Sequence, residues 1–217
     1  MKTVAFVPIK MNNERTPGKN TKCFDDGTPL IHCILQSLKE AREVDEIYVY
    51  CSKEDIKGYL LPDVHYLKRD EKFDSAQADV NDMFYTFSTE VDADIYVLAH
   101  ATAPFQTAGT IDEGIRIVKE GQYDSAVAVK KMQDFMWQDG KPLNYVIEHI
   151  PRTQDLKPIY IETTGLYVYT KTVIQEMRRR IGQNPYLLEV SEIEAIDINN
   201  PVDFEIANAI KMNIINR

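Results

Sequence analysis

The sequence predicts an α/β protein, a three-layer α/β/α sandwich built around a mostly parallel, Rossmann-like sheet. Short apolar runs typical of buried strands alternate with amphipathic segments of helical period as far as residue 132. The amphipathic segments have the length that right-handed crossovers between parallel strands need. At 217 residues the chain is long enough for one domain with a full core, so we interpret residues 1–217 as a single domain.

Runs rich in β-branched and aromatic residues predict the strands. The predicted strands are residues 4–9, 46–52, 64–69, 95–99, 124–132 and 159–170, with a further strand end expected around residues 195–198. Apolar residues at helical spacing predict helices over residues 30–41, 53–60, 74–91, 110–121 and 171–182, and a terminal helix that starts near Pro201. Ser52 is expected to cap the second of these helices. Three arginines, residues 178–180, are expected to form a solvated helix face.

The alternation stops between residues 133 and 158, a turn-rich segment that holds the chain's one tryptophan. We interpret this segment as a small excursion from the sheet. It is either a substrate-facing hairpin or a dimer arm, because exposed aromatic residues such as Phe135 and Trp137 commonly mark interfaces.

Composition excludes several classes of function. The chain has 25 Lys and Arg against 34 Asp and Glu, a net charge of −9, which argues against broad nucleic-acid binding. No apolar run is long enough to span a membrane, and the first residues do not form a secretory signal, so we expect a cytoplasmic protein. The three widely spaced cysteines indicate neither a disulfide framework nor a zinc site.

The segment after the first predicted strand, residues 10–22, is called the first loop here. It holds four cations and one anion in an otherwise acidic chain. Ligands of open α/β sheets bind beyond the carboxyl ends of the strands, so this loop is a candidate anion site. Asn20 stands where a Walker motif needs Ser or Thr, and no GxGxxG follows the strand. A triphosphate held by side chains and backbone amides fits better than either motif, although a solvated charged loop is the plainer alternative.

Four stretches resemble, in the same order, the motifs of the acylneuraminate cytidylyltransferase family, the synthetases of CMP-sialic acid and related CMP-activated sugar acids. They are VPIKMNNERTPGKNTK with GTPLI after it, LAHATAPFQT, PRTQDLKPIYIETTGLYVY and AIDINNPVDFEIA. The four matches cover nearly the whole chain and are together more specific than any one of them.

The resemblance implies that the anomeric hydroxyl of a 2-keto-3-deoxy sugar acid attacks the α-phosphorus of CTP and releases pyrophosphate. Such chemistry depends on positioning and on charge neutralisation by cations and Mg²⁺. The implied substrates are therefore CTP and an acidic sugar, the implied cofactor is Mg²⁺, and the implied assembly is a homodimer.

The resemblance also implies roles for single residues. Lys19 would stabilise charge on the phosphates, Lys10 would take the place of the family's loop arginine, and Asp197 would be the main magnesium ligand, with Asn199 as the second. The residues expected to contact the nucleotide are Pro8, Lys10, Asn12, Asn13, Arg15, Lys19, Asn20, Arg69, His100 and Thr102. Those expected to contact the sugar are Arg152, Gln154, Tyr160, Glu162 and Thr164.

Plainer alternatives remain for several of these residues. Asp197 also suits a turn. His100 could be a strand-end histidine that the backbone satisfies. Arg152 and Gln154 could simply anchor the excursion through hydrogen bonds.

Other positions depart from the family pattern. Lys10 lacks the bidentate fork of an arginine, Asn199 replaces an aspartate, and Thr164 lies where the family has Asn-Gly. These departures indicate a divergent branch. They leave open another acceptor, such as a phosphonate or a sugar phosphate, or a nucleotide-binding relative without catalysis.

Overall fold

The computed structural model describes residues 1–12 and 18–216 of the chain. The strands found there are β1 Thr3–Ile9, β2 Glu46–Cys51, β3 Val64–Lys68, β4 Ile95–Ala99, β5 Ser125–Met132, β6 Trp137–Gln138, β7 Lys141–Pro142, β8 Ile159–Thr170 and β9 Pro185–Glu189. Seven of these strands form one sheet in the order β3-β2-β1-β4-β8-β5-β9, and β6 pairs with β7 in a separate ribbon. All pairings in the large sheet are parallel except those of β8, which runs antiparallel to both β4 and β5.

The parallel pairings bring the ends of several strands to one edge of the sheet. β1 lies between β2 and β4, and Phe6 stands opposite both Tyr48 and Leu98 in register. Because β8 is antiparallel to β4, Leu166 in the middle of β8 stands opposite Ala99, the last residue of β4. The described residues of the first loop, the segment after β4 and the part of β8 just before Leu166 therefore meet at the carboxyl edge, where ligands of such sheets bind.

Helices cover both faces of the sheet, as the sequence predicts. They are α1 Leu30–Glu40, α2 Val80–Glu90, α3 Ala108–Lys119, α4 Lys171–Met177 and α5 Pro201–Ile210. The apolar stripe of α1 is buried in a core that includes β1 and α3, whereas Phe84 and Phe87 of α2 pack with Phe6 on the opposite face. The predicted three-layer α/β/α fold is therefore confirmed.

Some local predictions are wrong. Residues 54–59 form a 3₁₀-helix that Ser52 does not cap, because the Ser52 hydroxyl donates instead to Asp74 at 2.6 Å. The helix predicted over residues 171–182 ends at Met177, since Arg178 has a φ of 51° and terminates it. Asp197 lies in no strand, because β9 ends at Glu189 and turns follow.

The segment of residues 133–158 carries the ribbon of β6 and β7 and a short 3₁₀-helix, Thr153–Asp155. Six of its large apolar side chains are exposed: Phe135, Trp137, Leu143, Val146, Ile147 and Ile150. Among the helices of the described residues, none has the length and apolar character needed to cross a bilayer.

Candidate functional site

The base of the first loop is closed by its own residues. Asn20 is buried, and its side-chain amide donates to the carbonyl oxygen of Lys10 at 3.0 Å. Gly18 adopts a φ of 66°, a left-handed conformation that glycine accepts without steric cost, and it starts the 3₁₀-helix Lys19–Thr21. This turn fixes the backbone from which the Lys19 side chain projects.

Lys19 reaches the opposite end of the chain. Its ammonium group donates to the carbonyl oxygen of Ile198 at 2.6 Å, and the side chain is buried. The amide of Ile198 in turn donates to the carbonyl of Thr102, in the segment after β4, at 2.8 Å. Three predicted site residues, Lys19, Thr102 and Asp197, therefore converge through the backbone of Ile198.

The start of α5 adds a negative charge beside Lys19. Backbone N–H groups of Asn200 and Asn199 donate to Asp203 and hold its pKa below the usual range, and the charge of Lys19 acts in the same direction. Sequence reasoning did not assign Asp203 to the site, although it lies within the AIDINNPVDFEIA motif.

His100, Thr164, Asp197 and Asn199 form a chain of hydrogen bonds. The Nδ1 atom of His100 lies 2.5 Å from the carbonyl oxygen of Thr164. The Thr164 hydroxyl donates to Oδ2 of Asp197 at 3.3 Å, and the side-chain amide of Asn199 donates to the same oxygen at 2.6 Å. Two positions where the chain departs from its resembled family, residues 164 and 199, thus belong to one network with His100 and Asp197.

The protonation of His100 follows from its surroundings. Burial lowers the pKa of His100 below its usual value, the Thr164 carbonyl and Asp197 oppose this change, and the charge of Arg180 adds to it. The imidazole is therefore neutral at pH 7. If Nδ1 carries the proton toward the Thr164 carbonyl, Nε2 is left as a hydrogen-bond acceptor.

The backbone at Thr164 is strained. Thr164 has a φ of 57°, which is a genuine outlier for a β-branched residue. The pairing of β8 with β5 shifts here, between Tyr167 opposite Val127 and Glu162 opposite Val129. Strain of this kind persists where the surroundings hold the residue in place, and it concentrates at functional sites.

A buried carboxylate supports the segment that carries Asp197. Glu194 accepts hydrogen bonds from Thr107, Thr110 and Ser191, and Gln106 donates to its carbonyl at 2.7 Å. Burial would raise the pKa of Glu194, but the bonds from Thr110, Ser191 and Thr107 outweigh burial and lower it. The carboxylate therefore stays charged and ties the start of α3 to the turn before Asp197.

A second group of side chains lies along β8. The Tyr167 hydroxyl donates to Glu162 at 2.9 Å, and the guanidinium of Arg180 lies 4.0 Å from the centre of the Tyr167 ring. Burial raises the pKa of Tyr167, so the phenol remains protonated. The expectation of a solvated helix face is wrong for Arg180, which lies beyond the end of α4 and is only about a quarter exposed (26%).

Several predicted residues lie outside this convergence. Arg69 is buried and donates to Asp74 at 2.5 Å, near the end of β3. Arg152 pairs with Asp155 in the excursion, where Gln154 is also exposed. Tyr160 pairs with Lys131 in the sheet, and its side chain is exposed. Asn12 is also exposed. Pro8 stands opposite Tyr50 near the end of β1. Asn13 and Arg15, together with Glu14 and Pro17, fall outside the described residues.

The residues at the turn supply part of the ligand set that a magnesium ion needs. The described residues contain no cluster of three or more His, Cys, Asp or Glu side chains suited to a metal. Asp197 supplies one carboxylate, and Asn199 turns its donor atom toward it. Mg²⁺ commonly takes one or two carboxylates and completes its shell with phosphate oxygens and water, so this donor set fits an ion shared with a bound triphosphate.

Three sizeable cavities in the described part lie elsewhere. One of about 440 Å³ separates α1 from the start of α3, one of about 660 Å³ lies at the amino edge of β4, and one of about 750 Å³ lies in the excursion. None of the predicted site residues lines these three cavities. The candidate site at the carboxyl edge is therefore recognised from the contacts among its side chains and not from a cavity.

Comparisons with known proteins agree with this geometry. The model of a family described as cytidylyltransferase matches residues 4–180. A curated N-acylneuraminate cytidylyltransferase from Oncorhynchus mykiss is 24% identical over 215 residues, which cover 94% of this chain. They cover 49% of that relative, so the chain spans about half of its length.

Solved structures show the same fold. A CMP:2-keto-3-deoxy-manno-octonic acid synthetase complexed with CTP matches with a TM-score of 0.72 at 12% identity and covers 98% of this chain and 99% of its own. A 4-diphosphocytidyl-2C-methyl-D-erythritol synthase from Anaerococcus prevotii matches with a TM-score of 0.71 at 12% identity. The match covers 98% of this chain and 96% of the synthase chain. At these identities the likeness concerns the fold.

Proposed function

The chain belongs to the cytidylyltransferase family, a family of nucleotidyltransferase enzymes, and from this premise we propose that it transfers CMP from CTP to an acidic 2-keto-3-deoxy sugar. In this reaction the anomeric oxygen of the sugar forms a bond to the α-phosphorus of CTP. The bond from that phosphorus to the bridging oxygen breaks, pyrophosphate leaves, and the hydroxyl proton passes to solvent.

The observation that carries this proposal is the contact between Lys19 and the carbonyl of Ile198. It places the ammonium group of the first loop next to the peptide that follows Asp197. A fixed cation here would bind the phosphates and offset the charge that develops on the leaving pyrophosphate. Because Lys19 and the peptide of Ile198 are already in contact, these two groups would need little rearrangement to bind the phosphates.

We propose that Asp197 holds a magnesium ion together with the phosphates of CTP, with Asn199 and Thr164 orienting its carboxylate. The ion would supply charge neutralisation at the phosphates. The neutral His100 would offer its ring as a hydrogen-bond acceptor to a hydroxyl or amino group of a substrate.

We also propose that the chain forms a homodimer through the excursion. Trp137 and Ile150 are 58% and 65% exposed, and with their apolar neighbours they form the kind of surface that commonly marks protein interfaces.

A second candidate acceptor is a sugar phosphate. It is favoured by the fold shared with a 4-diphosphocytidyl-2C-methyl-D-erythritol synthase and by the left-handed backbone at Thr164, a position where the sequence departs from the resembled family. Both acceptors require the same nucleotide site, so they differ only in the part that binds the sugar.

The test is pyrophosphate release measured with each of the four nucleoside triphosphates. Each is combined with nonulosonic acids, octulosonic acids and sugar phosphates. The proposal expects release with CTP and a keto-sugar acid, and release only with a sugar phosphate would favour the second candidate. Thermal stabilisation by CTP without release from any acceptor would indicate a binding protein and contradict the proposed transfer.

A further inference from the structure

Arg180 is held at the edge of the site by stacking. Its guanidinium lies 4.0 Å from the centre of the Tyr167 ring, and the ring is fully buried. Stacking on an aromatic face fixes the plane of a guanidinium without using its hydrogen-bond donors. The charge is thus fixed in position while its N–H groups stay available.

The nearest anionic partner of Arg180 is Glu162, with Nη2 and Oε2 3.8 Å apart. That distance allows attraction but is too long for a hydrogen bond. Glu162 already accepts a hydrogen bond from the Tyr167 hydroxyl at 2.9 Å. Within the described part of the chain, the Arg180 guanidinium donates no hydrogen bond, so its fork can receive an anion.

Arg180 also lies beside the chain of hydrogen bonds that runs from His100 through Thr164 to Asp197. The His100 ring stands edge-on to the Tyr167 ring, with their centres 6.5 Å apart, and His100 in turn contacts the Thr164 carbonyl. Two carboxylates, Glu162 and Asp197, therefore border this part of the site. An acidic acceptor would meet repulsion there unless a cation offsets it.

We propose that Arg180 binds the carboxylate of the acceptor and thereby selects acidic sugars. This inference rests on the proposed function and names the residue that recognises the substrate class. A planar fork suits a carboxylate, which it can hold through two parallel hydrogen bonds. Arg152, the arginine that the sequence favoured for this role, is 72% exposed in its side chain and already forms two hydrogen bonds with Asp155, at 2.7 and 3.0 Å.

Arg178 offers a matched control. Its guanidinium lies 4.0 Å from the ring centre of Tyr85 and 3.8 Å from an oxygen of Asp82, so it repeats the surroundings of Arg180 at a more exposed position. The experiment compares Arg180→Gln, Arg180→Lys and Arg178→Gln with the wild type. Steady-state pyrophosphate release gives KM for the sugar acid and for CTP separately, and thermal unfolding checks the folding of each variant.

Arg180→Gln should raise KM for the sugar acid by about 10- to 100-fold, the effect of losing hydrogen bonds to a charged group, while KM for CTP stays close to wild type. Arg180→Lys should recover part of the loss, because lysine keeps the charge but not the fork. Arg178→Gln should behave as wild type. If Arg180→Gln does not fold, an intermediate sugar-acid KM for Arg180→Lys still supports the inference and an unchanged one overturns it.

The experiment also separates failure of this inference from failure of the proposed function. An unchanged sugar-acid KM in Arg180→Gln, or a rise confined to KM for CTP, overturns the inference and leaves the proposed function standing. A wild-type protein inactive on every carboxylate-bearing acceptor overturns both.

Discussion

Replacing Glu194 with glutamine should destabilise the protein and weaken the site together. Oε1 of Glu194 accepts from the amide of Thr107 at 3.3 Å and from the hydroxyls of Thr107 and Thr110 at 3.0 and 2.5 Å. Oε2 accepts from the amide and hydroxyl of Ser191 at 3.2 and 2.9 Å. A glutamine must turn its NH₂ group toward one of the two backbone amides, and a backbone N–H cannot rotate away.

Both N–H groups are part-buried, so one left without an acceptor costs about 1–2 kcal/mol, the lower part of the range for a buried group. Loss of the negative charge at the start of α3 removes about 0.3–1 kcal/mol more. Taken together, the free energy of unfolding should fall by about 1–3 kcal/mol, which lowers Tm by roughly 2–12 °C in a domain of this size. Because the start of α3 no longer holds the turn before Asp197, activity should fall as well.

The pH dependence gives a second readout. The pKa of Glu194 in the folded protein lies below its usual value of 4.5. Its contribution to stability is therefore complete above about pH 4.5 and is lost as the pH falls through the folded value. The difference in unfolding free energy between wild type and Glu194→Gln should be constant near pH 7 and shrink in acid.

Glu192→Gln is the control, since Glu192 is 73% exposed and pairs with Lys130 at the surface. It should change stability by less than about 1 kcal/mol. The assay is differential scanning calorimetry across pH. Equal Tm values for Glu194→Gln and wild type at pH 7 would refute the role given to this carboxylate.

Three further predictions concern the middle of β8 and the excursion. Gly165→Ala should lower the unfolding free energy by about 1–3 kcal/mol in denaturant titrations, because the new Cβ would lie 2.7 Å from Cβ of Ala103. Thr164→Gly should change stability by less than about 1 kcal/mol, since relief of a left-handed threonine is offset by a freer unfolded chain. Turnover should nevertheless fall in pyrophosphate assays, because Asp197 loses a donor. If the proposed homodimer forms through the excursion, Trp137→Ser should weaken it by at least about tenfold in sedimentation experiments and leave the Tm of the monomer unchanged.

The periodicity of the sequence was sufficient to predict the layers of the fold. The apolar periodicity of a buried strand or an amphipathic helix is visible within a short window of sequence. The apolar stripe of α1 could therefore be predicted from the sequence alone. The direction of β8 could not, because an antiparallel strand within a largely parallel sheet has the same alternation as a parallel one. The end of α4 depends on one left-handed residue, Arg178, which no propensity favours.

The site was predicted unevenly for a related reason. Motif resemblance predicted roles for Lys19 and Asp197, which lie far apart in sequence and come close at Ile198. It gave no role to Glu194 or to Arg180, because the contacts of Glu194 and the role proposed for Arg180 depend on segments that are distant in sequence. A run of three arginines usually indicates a solvated surface. Arg178 and Arg180 both stack on a tyrosine ring, and Arg180 differs in that its side chain is far less exposed.

The central claim is that Lys19 and Asp197 act on the phosphates of one nucleotide. A double-mutant cycle with Lys19→Met and Asp197→Asn, read as kcat/KM for CTP, measures this directly. Each single variant should lose at least about 100-fold, and the double variant should lose far less than the product of the two, because neighbouring groups that act on one ligand are not additive. Losses that multiply in full, or a single variant with wild-type kcat/KM, would contradict the claim.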